Sequence, residues 1–135
     1  MGNSVFIDTA AYLACFCSKD AYNTRATKCW QILRKGGFSF STSHHVLDEL
    51  ATLLGRRTSF SFSAKKLKEI YSSDTIVERT TEEDELEALI YFQKYADQKV
   101  SFTDCLSFVI MKKFNIKQVF TFDRHFEYAG FEIIS

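Results

Sequence analysis

Short apolar runs of strand length alternate along this chain with longer stretches whose apolar residues recur at helical spacing. Val5 to Ile7 reads as a buried strand closed by Asp8. Thr9 can cap a helix over Ala10 to Cys17. A second helix starts at Lys19-Asp20-Ala21, carries Ala26, Cys29, Trp30 and Leu33 on one stripe, and stops at Gly36-Gly37. Phe38 to Ser41 is a short strand. Ser43 caps a helix that turns Val46, Leu47, Leu50, Leu53 and Leu54 inward, with Glu49 near the edge of that face. Gly55 to Ser63 reads as a loop or broken helix, Ala64 to Ser72 as a helix, and Thr75 to Val77 as a strand. Thr80 and Glu83 have capping-box spacing for a helix to about Tyr95, with Leu86, Leu89, Ile90 and Phe92 or Gln93 on its buried side. Ser101 and Asp104 repeat that spacing before a helix over Thr103 to Phe114 that is apolar nearly all round. Gln118 to Phe122 is a buried strand ending at Asp123; a helical turn over Arg124 to Tyr128, a break at Gly130 and a strand over Phe131 to Ile134 follow.

Strands alternating with helices predict an α/β domain, a parallel sheet covered on both faces. Its length of 135 residues suits one domain with a single core. The composition, 46% apolar and 25% charged, is that of a globular protein, and no apolar run is long enough to span a membrane. Met1-Gly2-Asn3-Ser4 has neither the basic start nor the apolar core of a secretory signal, and residue 6 is Phe where a myristoylation signal wants Ser or Thr; the expected location is cytoplasmic. Cys15, Cys17, Cys29 and Cys105 form no Cys-x-x-Cys pair and have no zinc-like His partner, so buried free thiols are expected. A formal net charge of zero argues against a basic nucleic-acid coat.

The informative chemistry lies in the acids. Asp8, Glu49, Asp104 and Asp123 all sit in apolar surroundings, where a carboxylate loses solvation and needs a partner. No lysine or arginine shares their runs. Right-handed crossovers bring every strand's carboxyl end to one edge of a parallel sheet, where ligands bind. Asp8 and Asp123 end strands, so both belong at that edge, and the helix position of Glu49 is compatible with it. The spacing by itself does not carry Asp104 there. Carboxylates gathered in this way suit a hard divalent cation.

Each acid also has an ordinary explanation. Asp8 can cap a helix, Asp104 can favour a helix N-terminus, Glu49 can face solvent with Asp48 a weaker substitute, and Asp123 can be a turn residue. His44-His45 are adjacent and point to different sides of a helix, so cap and surface roles are expected for them. Glu82 to Glu87 is read as a solvated helix start. Phe60 and Phe62 either plug the core or form a patch for a partner.

The segments Phe6-Ile7-Asp8-Thr9, Val46-Leu47-Asp48-Glu49-Leu50, Ser101-Phe102-Thr103-Asp104-Cys105 and Phe120-Thr121-Phe122-Asp123-Arg124-His125-Phe126 together resemble the PIN domain, and within it the VapC-like toxin ribonucleases. The likeness runs through essentially the whole chain, as a single domain over 1–135. It implies a three-layer α/β sandwich around a mainly parallel sheet of about five strands. It also implies Mg2+- or Mn2+-dependent hydrolysis of RNA, with one or two ions. Asp8, Glu49, Asp104 and Asp123 would be the catalytic, metal-binding quartet, and Thr9 and Thr121 supporting hydroxyls. Separately from the resemblance, Arg124 and His125 follow Asp123 directly, and either could contact an RNA phosphate at the mouth of the site. The partners implied are an RNA substrate, a small antitoxin protein and a second copy in a homodimer. A non-toxin processing nuclease and a PIN-fold binding module for RNA or protein are the alternatives. A haloacid-dehalogenase-like phosphatase would need an Asp where Ala10 stands, and a receiver domain an early acidic pair and a late lysine. Neither a P-loop nor a Gly-x-Ser-x-Gly elbow is present.

Overall fold

The computed structural model describes residues 3–135; the reading of Met1-Gly2 lies outside the described residues. β1 (Ser4–Ile7) leads into α1 (Thr9–Phe16) and α2 (Asn23–Lys35). β2 (Ser39–Ser43) is followed by α3 (His44–Arg57) and α4 (Phe60–Ser72). β3 (Ile76–Glu78), α5 (Glu82–Lys94), a helical turn over Ala96–Gln98 and α6 (Phe102–Lys113) come next. β4 (Gln118–Phe120), a helical turn over Arg124–Ala129 and β5 (Glu132–Ile134) complete the order. The five strands pair in the order β3-β2-β1-β4-β5, every pair parallel. Right-handed crossovers of that order lay α1 to α4 over one face and α5 and α6 over the other. The expected architecture is therefore met, and strand order reverses between β1 and β4.

The registers follow from burial. Val5, Phe6 and Ile7 of the central strand are fully buried and pair with Gln118, Val119 and Phe120 on one side, while Ser4 to Phe6 pair with Ser39 to Ser41 on the other. Aromatic rings fill both layers: Trp30 lies 4.9 Å from Phe40 on one face, and Phe108 meets Phe126 edge-on at 5.1 Å on the other. The thiols of Cys17, Cys29 and Cys105 are buried and that of Cys15 partly so, all four unpaired.

Of the two readings of Gly55 to Ser63 the broken helix holds: α3 runs to Arg57, the chain breaks at Thr58 and Ser59, and the Ser59 hydroxyl accepts from the Phe62 amide to start α4. There Phe62 packs on the core, whereas Phe60 is 64% exposed and lies over Gly55, where an added Cβ would meet its ring at 2.4 Å. α2 begins at Asn23 rather than near Lys19, because the Asn23 side chain caps the last carbonyls of α1, donating to those of Ala14 and Cys15. The capping box of α5 is Thr81 with Asp84, one residue beyond the expected pair, since Thr80 is occupied by His45 at 2.7 Å and by Glu85. The buried side of α5 is also reversed. Asp84, Ala88 and the stacked rings of Tyr91 and Tyr95 face Phe108 of α6, leaving Leu86, Leu89, Ile90 and Phe92 exposed. Ring packing against α6 and the ion pair of Asp84 with Lys113 at 3.0 Å outweigh the burial of those aliphatic side chains.

Candidate metal centre

Asp8 leaves β1 just as α1 begins. It occupies the N-cap position of α1, but its carboxylate makes no cap hydrogen bond. The side chain turns across the switch point instead, where the Thr121 hydroxyl donates to Asp8 Oδ2 at 2.7 Å. Thr121 follows β4, is fully buried, and accepts from the Asp123 amide at 3.0 Å. Its hydroxyl thus links the ends of β1 and β4, while its amide donates to the Ile134 carbonyl of β5 at 3.3 Å. Asp123 then accepts from the His125 amide at 2.9 Å, so it is also a turn residue.

Asp104 arrives from the opposite side. The Ser101 hydroxyl accepts from its backbone amide, which starts α6, but the reciprocal half of the expected capping box is missing. The carboxylate is spared for the cleft, where Oδ2 lies 3.4 Å from His125 Nδ1. The same nitrogen is 3.2 Å from Asp123 Oδ1. Glu49 projects from α3 and is half-buried, whereas Asp48 is exposed. A cleft of about 220 Å3 is lined by Asp8, Thr9, Glu49, Lys99, Ser101, Asp104, Asp123 and His125, among others. All four expected acids thus face one space at the topological switch point. Within it Asp104, Asp123 and His125 are the tightest group, one ligand atom of each lying within 4.8 Å of the others.

The electrostatics are those of anions crowded without compensation. Burial pushes the Asp8 carboxyl up to about 6, against the hydrogen bond from Thr121, with the charges of Asp123 and Glu49 adding to the rise. Burial likewise pushes Asp104 up to about 9, helped by the charges of Asp8 and Asp123. Asp8 Oδ1 and Thr9 Oγ1 are buried with no hydrogen-bond partner. An orphaned carboxylate oxygen among oxygen donors is what a hard divalent cation would satisfy, so the residues present fit such an ion.

His125 lies in the cleft with its ring nitrogen on two of the acids. Lys99 was not anticipated. It stands in left-handed backbone at φ 58°, after a helical turn that sequence periodicity did not reveal, and only the fold brings it to the acids. Arg124 points outward with 80% of its side chain exposed and pairs with Glu127 at 2.8 Å. His44 is exposed and His45 is engaged by Thr80, so neither belongs to the cleft.

Thr121→Val tests how far this scaffold depends on one hydroxyl. It removes the hydroxyl that donates to Oδ2 of a buried carboxylate. We expect about 1–3 kcal/mol of lost stability in urea melts and roughly a 10- to 100-fold loss of divalent-ion affinity by calorimetry. Unchanged values in both measurements would show the hydroxyl to be dispensable.

The fold and the cleft together define a doubly wound α/β domain that presents an acidic, oxygen-rich site at its switch point. Residues 5–132 match the PIN domain family. The chain belongs to that family. It is 31% identical over 127 residues to the "23S rRNA-specific endonuclease VapC20" of Mycobacterium tuberculosis, in strains CDC 1551 / Oshkosh and H37Rv, covering 94% of this chain and 95% of the relative. The crystal structure of the M. tuberculosis VapC20 protein, described as a sarcin-ricin loop cleaving toxin, superposes with a TM-score of 0.86 at 30% identity over 94% of this chain and 95% of that one.

Proposed function

We propose that this protein is a divalent-metal-dependent endoribonuclease of the toxin type, that it hydrolyses phosphodiester bonds in ribosomal RNA, and that it acts in the cytoplasm under control of a small antitoxin protein. Asp8, Glu49, Asp104 and Asp123 are its catalytic and metal-holding residues, with Mg2+ or Mn2+ as the ion. The observation that carries this reading is the buried, crowded carboxylate cleft at the switch point, in which Asp8 Oδ1 has no partner. Its likeness to a sarcin-ricin loop endonuclease over nearly the full length supplies the substrate class.

When bound, a divalent cation would neutralise the acids, acidify water and offset charge that develops on the phosphate. The chain's own residues do the rest. Thr121 holds Asp8 in place, and Ser101 sets the first turn of α6 so that Asp104 enters the cleft. His125 bridges Asp104 and Asp123, fixing their approach. Lys99 contributes a positive charge at the rim of an otherwise acidic cleft, where a polyanionic substrate needs one.

The test is direct. Purified protein is incubated with intact ribosomes and Mg2+ or Mn2+, and cut sites in 23S rRNA are mapped by primer extension. A discrete cut that EDTA stops is expected. RNA that is bound yet stays intact with both metals would make the protein a binding module instead.

A homodimer is part of the same reading. Among the described residues, Leu86, Leu89 and Ile90 are 56%, 45% and 66% exposed on one face of α5, which begins with acids and ends at Lys94. Two copies packed antiparallel along that helix would cover this face and pair its opposite charges. We expect Leu89→Glu with Ile90→Glu to convert a dimer into a monomer in analytical ultracentrifugation; a dimer that persists would place the interface elsewhere.

A further inference from the structure

On the other side of the β4 end from the acidic cleft lies an aromatic pair that the metal site does not use. Phe122 sits between Thr121 and Asp123 in the chain, and its ring lies on the face of the sheet covered by α2. The Tyr22 ring stacks on it with centroids 4.6 Å apart and planes 8° from parallel. The Arg25 guanidinium lies 5.6 Å from the Phe122 centroid and donates to Ser135 Oγ at 2.9 Å. Phe120, 6.1 Å from Phe122, already fills the core beneath.

Tyr22 is held firmly for a surface residue. Its amide donates to Asp20 Oδ1 at 2.9 Å, Asp20 is paired with Arg57 at 3.0 Å, and its carbonyl accepts from the Ala26 amide. One ring face is spent on Phe122, yet 47% of the residue stays exposed. A fixed, partly exposed aromatic ring is a surface on which an unpaired base can stack.

With 17 basic and 17 acidic residues the chain has no net charge to hold a polyanion over its whole surface, so a local contact such as stacking adds to what Lys99 and a bound cation would supply. Phe122 immediately precedes Asp123, so the chain that carries the acid into the cleft also carries the ring on which Tyr22 stacks, on the opposite side of the strand end.

We propose that Tyr22, seated on Phe122, is the stacking platform for an unpaired RNA base near the phosphodiester held at the acidic cleft, with Arg25 on the same Phe122 ring. Tyr22 is thus a positioning and specificity residue outside the metal site. This rests on the ribonuclease reading above.

The experiment uses a synthetic hairpin with the sarcin-ricin loop sequence, carrying 2-aminopurine at single unpaired positions on either side of the cut. Binding is followed in the Asp104→Asn background and cleavage in the otherwise unaltered protein. Stacking on Tyr22 should quench 2-aminopurine at one position. Tyr22→Phe and Tyr22→Trp should keep that quenching. Tyr22→Leu, which keeps an apolar contact on Phe122 but has no π face, should abolish it and raise KM roughly tenfold or more with kcat little changed. Tyr22→Trp, by enlarging the ring, keeps the test decisive if the leucine variant folds poorly. Cleavage with the same KM in Tyr22→Leu, or quenching that no Tyr22 substitution alters, overturns the platform and leaves the nuclease intact. Tyr22-dependent quenching without cleavage by the unaltered protein overturns the nuclease and keeps the platform. A hairpin neither bound nor cut overturns both.

Discussion

Asp104→Asn is expected to reduce RNA cleavage by roughly 1000-fold and, at the same time, to raise the melting temperature of the metal-free protein. The two effects have one cause. Asp104 is 6% exposed and its carboxyl is pushed up to about 9, by burial first and then by the charges of Asp8 and Asp123. At neutral pH the unfolded chain carries it ionised, so folding must take up a proton or bury a repelled charge. An amide of nearly the same shape avoids that cost. The Ser101 cap receives from the backbone amide and survives the substitution. What is lost is an oxygen that a cation needs. An ordinary helix acid stabilised by the macrodipole would behave in the opposite way, and its replacement would lower stability. Single-turnover cleavage and thermal melts in EDTA separate the two cases. A variant that cuts within tenfold of the original rate, or melts lower, would remove Asp104 from the site.

The second large effect is on pH dependence. Asp8 and Asp104 have folded-state values of about 6 and about 9, both above the unfolded value of 3.8. Between pH 4 and 9 the folded protein therefore holds protons that the unfolded chain has released. Stability of the metal-free protein should fall as pH rises through that window, and be greatest at its acid end as far as these two groups decide. A divalent ion takes the place of those protons, so Mn2+ should stabilise progressively more from pH 5 to pH 8.5. At an ion concentration near 100 times Kd the gain is about 2.7 kcal/mol, on the order of 10 °C in melting temperature for a domain of this size. Proton release on binding, measured by calorimetry in buffers of different ionisation enthalpy, should grow as pH falls toward 6. Metal-free stability that rises with pH would mean that the carboxylates are compensated by some other group.

The first link from sequence to site was local. Val5 to Ile7 and Val119 to Phe120 are apolar runs that end in a carboxylate or lead to one, and a parallel sheet leaves such residues only one edge to occupy. That logic reached Asp8 and Asp123 from strand patterning alone, and the strand-helix alternation was enough for the α/β class. It reached Glu49 through the stripe of α3, where Val46, Leu50 and Leu54 are buried and Glu49 borders them. Helical periodicity failed on α5 because both of its faces carry apolar residues. Which face turns inward depends on the rings of α6, information that lies outside the helix's own sequence.

Asp104 marks the limit most clearly. Its spacing from Ser101 looks like half of a capping box, and a chain read locally would turn its carboxylate back onto its own helix. Only the packing of α6 beside the β1–β4 switch point aims it into the cleft, near His125. Lys99 and the Tyr22–Phe122 stack are likewise invisible along the chain, since they join residues tens to about a hundred positions apart. Local periodicity and short motifs were enough for the α/β class, the acids at strand ends and the family likeness, because each is written within a few neighbouring residues. Tertiary structure alone decided which carboxylates share a space and how strongly their protons are held, because desolvation and Coulomb repulsion depend on distances between distant segments.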